Sequence, residues 1–212
     1  GGLRTGAGKE QKPEKAKTAG LKQVAMAAKG KVKVEGMASG TVRIDKKAEA
    51  EVQAKPAGHG GPITAVTFTA NSSQVVTASR DKTVRVFSAT DGKLVRTIDV
   101  GSEATALGLS SNGQVVIGAS DKQVRIVTLA DGKTVRTLTG HEAVVTDVEF
   151  SSNNSRVVSA AADGRVRAWE VKTGHVLQHF AAAGSVAGVG FSNDNRTIAF
   201  AGSDKSVHIE SI

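Results

Sequence analysis

Residues 140–170 read GHEAVVTDVEFSSNNSRVVSAAADGRVRAWE, and four short strands can be read out of this stretch and the residues that follow it. The run closing on Phe150 (Asp-Val-Glu-Phe) alternates apolar and polar residues, the mark of a half-buried strand. Asn153-Asn154-Ser155 follows, a cluster that favours a tight turn because Asn tolerates positive φ and both side chains can bond nearby backbone. Val157-Val158-Ser159 is a β-branched run; Asp163-Gly164 turns the chain, and Val166-Arg167-Ala168-Trp169 returns with period two. A further turn, Lys172-Thr173-Gly174-His175, leads into a fourth strand.

The same markers recur outward from this stretch in both directions. Phe68, Leu109, Phe150 and Phe191 are spaced by 41 residues each time. Asp81, Asp121, Asp163 and Asp204 open the stretches DKTVRVF, DKQVRIV, DGRVRAW and DKSVHIE. Gly92, Gly132 and Gly174 stand in the turns TDGK, ADGK and KTGH. Three marker series keeping one period define four units, at 58–98, 99–139, 140–181 and 182–212. Shifting the register back by 42 residues lays Val24-Ala25-Met26 under Val66-Thr67-Phe68, and Gly40-Thr-Val-Arg-Ile44 under Lys82-Thr-Val-Arg-Val86. Residues 19–57 are therefore expected to form a degenerate further unit, the alternative being a basic linker. Residues 1–18 are Gly- and Lys-rich without apolar period and are expected to be a disordered linker.

These residues resemble the WD-repeat family across roughly residues 58–212. Gly140-His141 through Trp169-Glu170 matches its GH…WD signature, with Glu in the last place. The resemblance implies an all-β fold, a β-propeller in which each unit is a four-stranded blade. It also implies a structural tetrad of His141, Ser159, Asp163 and Trp169, in which a buried carboxylate and imidazole satisfy each other. The first unit keeps His59, Thr77 and Asp81 but has Phe87 at the Trp place. The second has neither His nor Trp and offers Val127, and the fourth has Glu210 there and no His. Rings of this family mostly hold seven blades, which at this period takes roughly 290 residues. The four clear blades and the degenerate one are thus expected to be part of a larger ring. Ile212 follows a third strand, whereas Gly1 in place of Met reads as a truncated start. An open arc, or self-association that completes the ring, is the alternative, because unpaired strand edges invite pairing.

Composition narrows the chemistry. With no Cys, disulfides and thiolate metal sites are excluded. No stretch approaches the eighteen or so apolar residues of a membrane span. The net charge of +8 resides mainly in residues 1–57, which hold 13 Lys/Arg against 6 Asp/Glu. The stretch from Lys9 to Lys33 lacks aromatic rings for base stacking, so nucleic-acid binding is disfavoured. Gly2–Lys9 fails the phosphate-loop spacing, with Leu3 at the first Gly place and Glu10 after the Lys. His175 and His179 read as an exposed strand pair, not a metal site, and Ser159, His141 and Asp163 fit the tetrad better than a nucleophilic triad. The sequons at Asn71, Asn153 and Asn195 fall in turns that favour Asn for backbone reasons. No catalytic, metal or cofactor residue is assigned.

The expected function is a non-catalytic scaffold for a protein or peptide partner, without a small-molecule substrate. This rests on fold-level resemblance. The contacts expected on the top face are Thr64, Arg80, Lys82, Glu142 and Lys205. The alternatives are an accessory module of a larger enzyme or electron-transfer protein, and anionic-surface or nucleic-acid binding through the basic N-terminal segment.

Overall fold

The computed structural model describes residues 58–212 in full and, before them, the backbone of three strands, 21–26, 32–37 and 42–46. The expected linker at 1–18 and the remainder of 19–57 lie outside the described residues. Every regular element among the described residues is a strand. The first sheet holds β1 (Leu21–Met26), β2 (Val32–Met37) and β3 (Val42–Lys46). The second holds β4 (Ile63–Phe68), β5 (Gln74–Ser79), β6 (Thr83–Ser88) and β7 (Leu94–Asp99). The third holds β8 (Ala104–Leu109), β9 (Gln114–Ala119), β10 (Val124–Thr128) and β11 (Thr134–Leu138). The fourth holds β12 (Val145–Phe150), β13 (Arg156–Ala161), β14 (Arg165–Glu170) and β15 (Val176–Ala181). The fifth has three strands, β16 (Val186–Phe191), β17 (Thr197–Gly202) and β18 (Val207–Ser211).

All pairings are antiparallel between strands consecutive in sequence, so each sheet is a meander in chain order. First strands neighbour first strands: β1 lies by β4, β4 by β8, β8 by β12 and β12 by β16. The core lies between sheets. Val76, Ala78, Val84 and Val86 pack on Ala104, Val115 and Ile117, and Val116, Val124 and Ile126 pack on Val145, Val148 and Trp169. Small β-branched residues suit this position because both faces of each middle sheet are covered. The last sheet shows the converse. Val84 and Val86 are 0% and 1% exposed, but their counterparts Val207 and Ile209 are 73% and 71% exposed, with no further sheet over them among the described residues.

A bulge recurs at one place in every first strand. Pairing skips from Ile63 to Ala65, from Ala104 to Ala106, from Val145 to Asp147 and from Val186 to Gly188. The extra residue is left unpaired in its own ladder. In three sheets it is a Thr whose hydroxyl donates to the next first strand: Thr64 to Ala104 O, Thr105 to Val145 O and Thr146 to Val186 O, each at 2.6 Å. In the last sheet the residue is Ala187, which is exposed.

Three further sets of contacts couple neighbouring sheets. Arg96 donates from the fourth strand to the carbonyls of Ala130 and Asp131, and Arg136 to that of Lys172. Asn154 accepts the Ser111 N–H, and Asn195 accepts the Ser152 N–H. Asp147 and Glu149 accept the N–H groups of Val189 and Phe191 at 2.9 Å, satisfying the edge of β16 that has no strand partner.

Candidate functional site

Alternating strand direction gives the array two ends. The upper end carries the segments leading into first strands and the turns from second to third strand. The lower end carries the other two sets of turns. At the upper end His precedes the first strand, the hydroxyl residue sits in the second strand, Asp occupies the turn and the aromatic lies in the third strand.

In the fourth sheet His141 Nε2 lies 2.7 Å from Ser159 Oγ, and Trp169 Nε1–H donates to that oxygen at 2.8 Å. His141 Nδ1 is 3.2 Å from Asp163 Oδ2. In the second sheet His59 lies 2.7 Å from Thr77 Oγ1 and 2.8 Å from Asp81 Oδ2. An ionised carboxylate only accepts, so at His59 Nδ1 carries the proton toward Asp81 and Nε2 accepts from the Thr77 hydroxyl. At His141 the Nδ1 atom also faces a donor, Arg167 Nη1, at 2.9 Å. Each Asp also receives backbone N–H groups from both sides, Gly60 and Thr83 on Asp81, Glu142 and Arg165 on Asp163. One buried network therefore ties the entry segment, the turn and two strands together.

The third sheet keeps Asp121 in the turn, engaged by Arg125, but fills the buried places with apolar groups. Ile117 stands where Thr77 and Ser159 stand, and Val127 where Phe87 and Trp169 stand; both are buried. With the imidazole and the hydroxyl both gone and Asp121 taken up by Arg125 and the Gln123 N–H, no buried polar partner is left unsatisfied there. In the last sheet Phe200 occupies the hydroxyl place and stacks on His208 at 4.7 Å between ring centroids. His208 in turn bonds Asp204 at 2.9 Å, as Arg85, Arg125 and Arg167 pair with Asp81, Asp121 and Asp163. The last unit thus has an imidazole in its network, entering from the third strand and not from ahead of the first.

Burial is the main influence on His59 and lowers it below the ordinary imidazole value, against the raising effect of Asp81. His141 is lowered the same way, with the Asp163 charge opposing and the Arg167 charge assisting. Burial pushes the Asp81 carboxyl up, but hydrogen bonds from Thr83, His59 and the Gly60 N–H outweigh it and bring it down to about 2. Both signs make the unfolded chain bind more protons. Stability is therefore lost as pH falls through the unfolded imidazole value of 6.5, and lost further below 3.8. Asp147 and Glu149, raised mainly by burial, act in the opposite sense as they protonate. Melting temperature followed from about pH 8 to about pH 5 is expected to decline below the imidazole value, and less steeply in His141→Asn. An identical slope in both proteins would show that this imidazole is not buried neutral.

Arg80, Lys82, Glu142 and Lys205 are exposed at the upper end. Arg80 lies 3.9 Å from Glu103 in an exposed ion pair. Thr64 differs: it is half-buried and its hydroxyl is committed to Ala104 O, so it couples two sheets and offers no free donor. His175 and His179 are exposed, and among the described residues no group of three His, Asp or Glu is placed to hold a metal ion. Two open cavities of about 450 and 420 Å³ lie at the lower end. Thr69, Asn71, Ser111 and Asn112 line one, and Phe68, Leu109, Phe150 and Asn154 line the other.

Antiparallel sheets succeeding one another with their first strands side by side, two of them braced from a His–hydroxyl–Asp corner, are blades of a WD-repeat propeller. The family model described as "WD domain, G-beta repeat" matches residues 51–88, 132–170 and 172–209, more than half of the chain. The chain belongs to the WD40 repeat family. The third sheet lies largely outside those matches, in keeping with its apolar substitute for the tetrad. Among curated proteins the chain is similar to the U3 small nucleolar RNA-associated protein 21 homolog of Schizosaccharomyces pombe, at 31% identity over 119 residues. That alignment takes in 56% of this chain and 13% of the relative, so the chain spans a small part of that protein.

Proposed function

We propose that this chain is a non-catalytic scaffold that holds a protein or peptide at the upper end of its blade array. The observation that carries this reading is the contrast at that end between a fixed frame and exposed side chains. The tetrad network pins the entry segments and turns, while Arg80, Lys82, Glu142 and Lys205 project from them into solvent. Pre-organised side chains lose little freedom on binding. Of the S. pombe relative, the name states an association with a small nucleolar RNA. For this chain a protein partner is favoured over the nucleic acid itself: no Phe or Trp stands among the large exposed side chains of the described residues to stack on bases.

Affinity capture with the full chain as bait, in parallel with Arg80→Glu/Glu142→Lys, tests the reading. The expected result is a set of proteins held by the parent chain and lost with the double variant. Equal capture by both proteins would contradict it.

A further inference from the structure

The turns between second and third strands place the residue after the recurring Asp in the left-handed region in all four fully described blades. Its φ is 70° at Lys82, 71° at Lys122, 76° at Gly164 and 64° at Lys205. Glycine adopts this conformation freely, whereas a side chain is strained there. Three of the four turns nevertheless carry Lys. Strain of this kind points to a role for the side chain beyond the turn itself.

None of these lysines has an ion-pair partner within 4 Å among the described residues. The Asp before each Lys is occupied by the Arg or His of its own third strand, as in Asp81 with Arg85, Asp121 with Arg125 and Asp204 with His208. At the lower end two of the three turn lysines are balanced locally, Lys93 at 3.2 Å from Asp91 and Lys133 at 3.6 Å from Asp131, while Lys172 is exposed without an ion pair to a described residue. Lys82, Lys122 and Lys205 are exposed and make no ion pair with any described residue, and in the blade with Gly164 the next residue, Arg165, is an exposed cation likewise unpaired. The upper end thus presents an exposed cation in each of the four fully described blades, three at the same turn position and Arg165 one residue further on.

We infer that Lys82, Lys122, Arg165 and Lys205 form a docking track for an acidic peptide segment laid across successive blades. The inference rests on the scaffold reading and adds the chemical class of the partner. A peptide suits the track better than RNA. Glu142 and Glu103 stand among the cations at the same end, and a phosphate backbone with a charge at every nucleotide would be forced over them. A peptide can set acidic side chains against the cations and neutral or basic ones against the glutamates.

The test uses the full chain and a fluorescein-labelled peptide of alternating Glu and Ser, read by anisotropy over a range of salt. Lys82→Gly/Lys122→Gly/Lys205→Gly removes three charges while placing the residue best suited to each turn, so folding is retained. Lys93→Gln/Lys133→Gln/Lys172→Gln removes the same charge from the lower end and controls for the basic residues 1–57. Affinity is expected to fall about tenfold in the upper triple, with a shallower salt dependence, and to stay close to the parent's in the control. Equal losses in the two triples would overturn the inference. So would tighter binding of a labelled uridine oligonucleotide that the upper triple abolishes, which would assign the track to nucleic acid. A protein partner captured through Arg80 and Glu142 but indifferent to the upper triple would leave the scaffold reading standing and remove the acidic track alone.

Discussion

Replacing Trp169 by Ala is expected to lower the free energy of unfolding by about 3–5 kcal/mol, measured by urea denaturation. The ring is 1% exposed and packs in the cluster that joins the third and fourth sheets, with Leu138, Val145 and Val157. Truncation opens a cavity between two blades and also takes the Nε1–H donor from Ser159 Oγ. Trp169→Phe keeps most of the ring and is expected to cost about 1–2 kcal/mol, the hydrogen bond plus a small void. Phe87 already fills this place in the second sheet, 0% exposed, which shows that a phenyl ring suits the pocket of a neighbouring blade. A loss from Trp169→Ala below about 1 kcal/mol would mean that the two blades do not share a packed core.

The second large effect is a contrast between equivalent positions. Val84→Asp puts a carboxylate at a site with no exposure, between the second and third sheets, with no cation to meet it. An unpaired charge in that position costs several kcal/mol, enough to unfold a domain of ordinary stability. Val207→Asp makes the same change at the same place in the blade, on a side chain 73% exposed. Its expected cost is within about 0.5 kcal/mol. Circular dichroism melts of the two variants decide the matter: both unfolded, or both unaffected, would be at odds with sheets stacked in chain order.

Much of this was legible in the sequence because the repeat is carried by residues whose reasons are local. The turns needed Asn, Asp and Gly, the strands needed alternation, and a period near 41 residues followed from both. His141, Ser159, Asp163 and Trp169 could be set side by side in advance because their spacing follows a familiar signature. What stayed hidden depends on register across sheets. Nothing local marks Thr64, Thr105 and Thr146 as bulged residues reaching the next blade, although their common spacing of 41 is visible once sought. Ile117 in the hydroxyl place becomes meaningful only beside Val127, when the buried part of the polar network is seen to be replaced as a whole. His208 was missed because its carboxylate partner is approached from a different strand. Lys122 and Arg165 were passed over because a turn cation looks ordinary until the neighbouring carboxylates are found to be engaged.

Hydrogen–deuterium exchange of the full chain, with and without a captured partner, tests the central claim most directly. Protection on binding is expected in the turns between second and third strands, at residues 80–82, 120–122, 162–165 and 203–206, and in the segments entering β8 and β12. Protection confined to the lower-end turns at 69–74, 110–114 and 151–156, with the upper end unchanged, would contradict the assignment of the binding end.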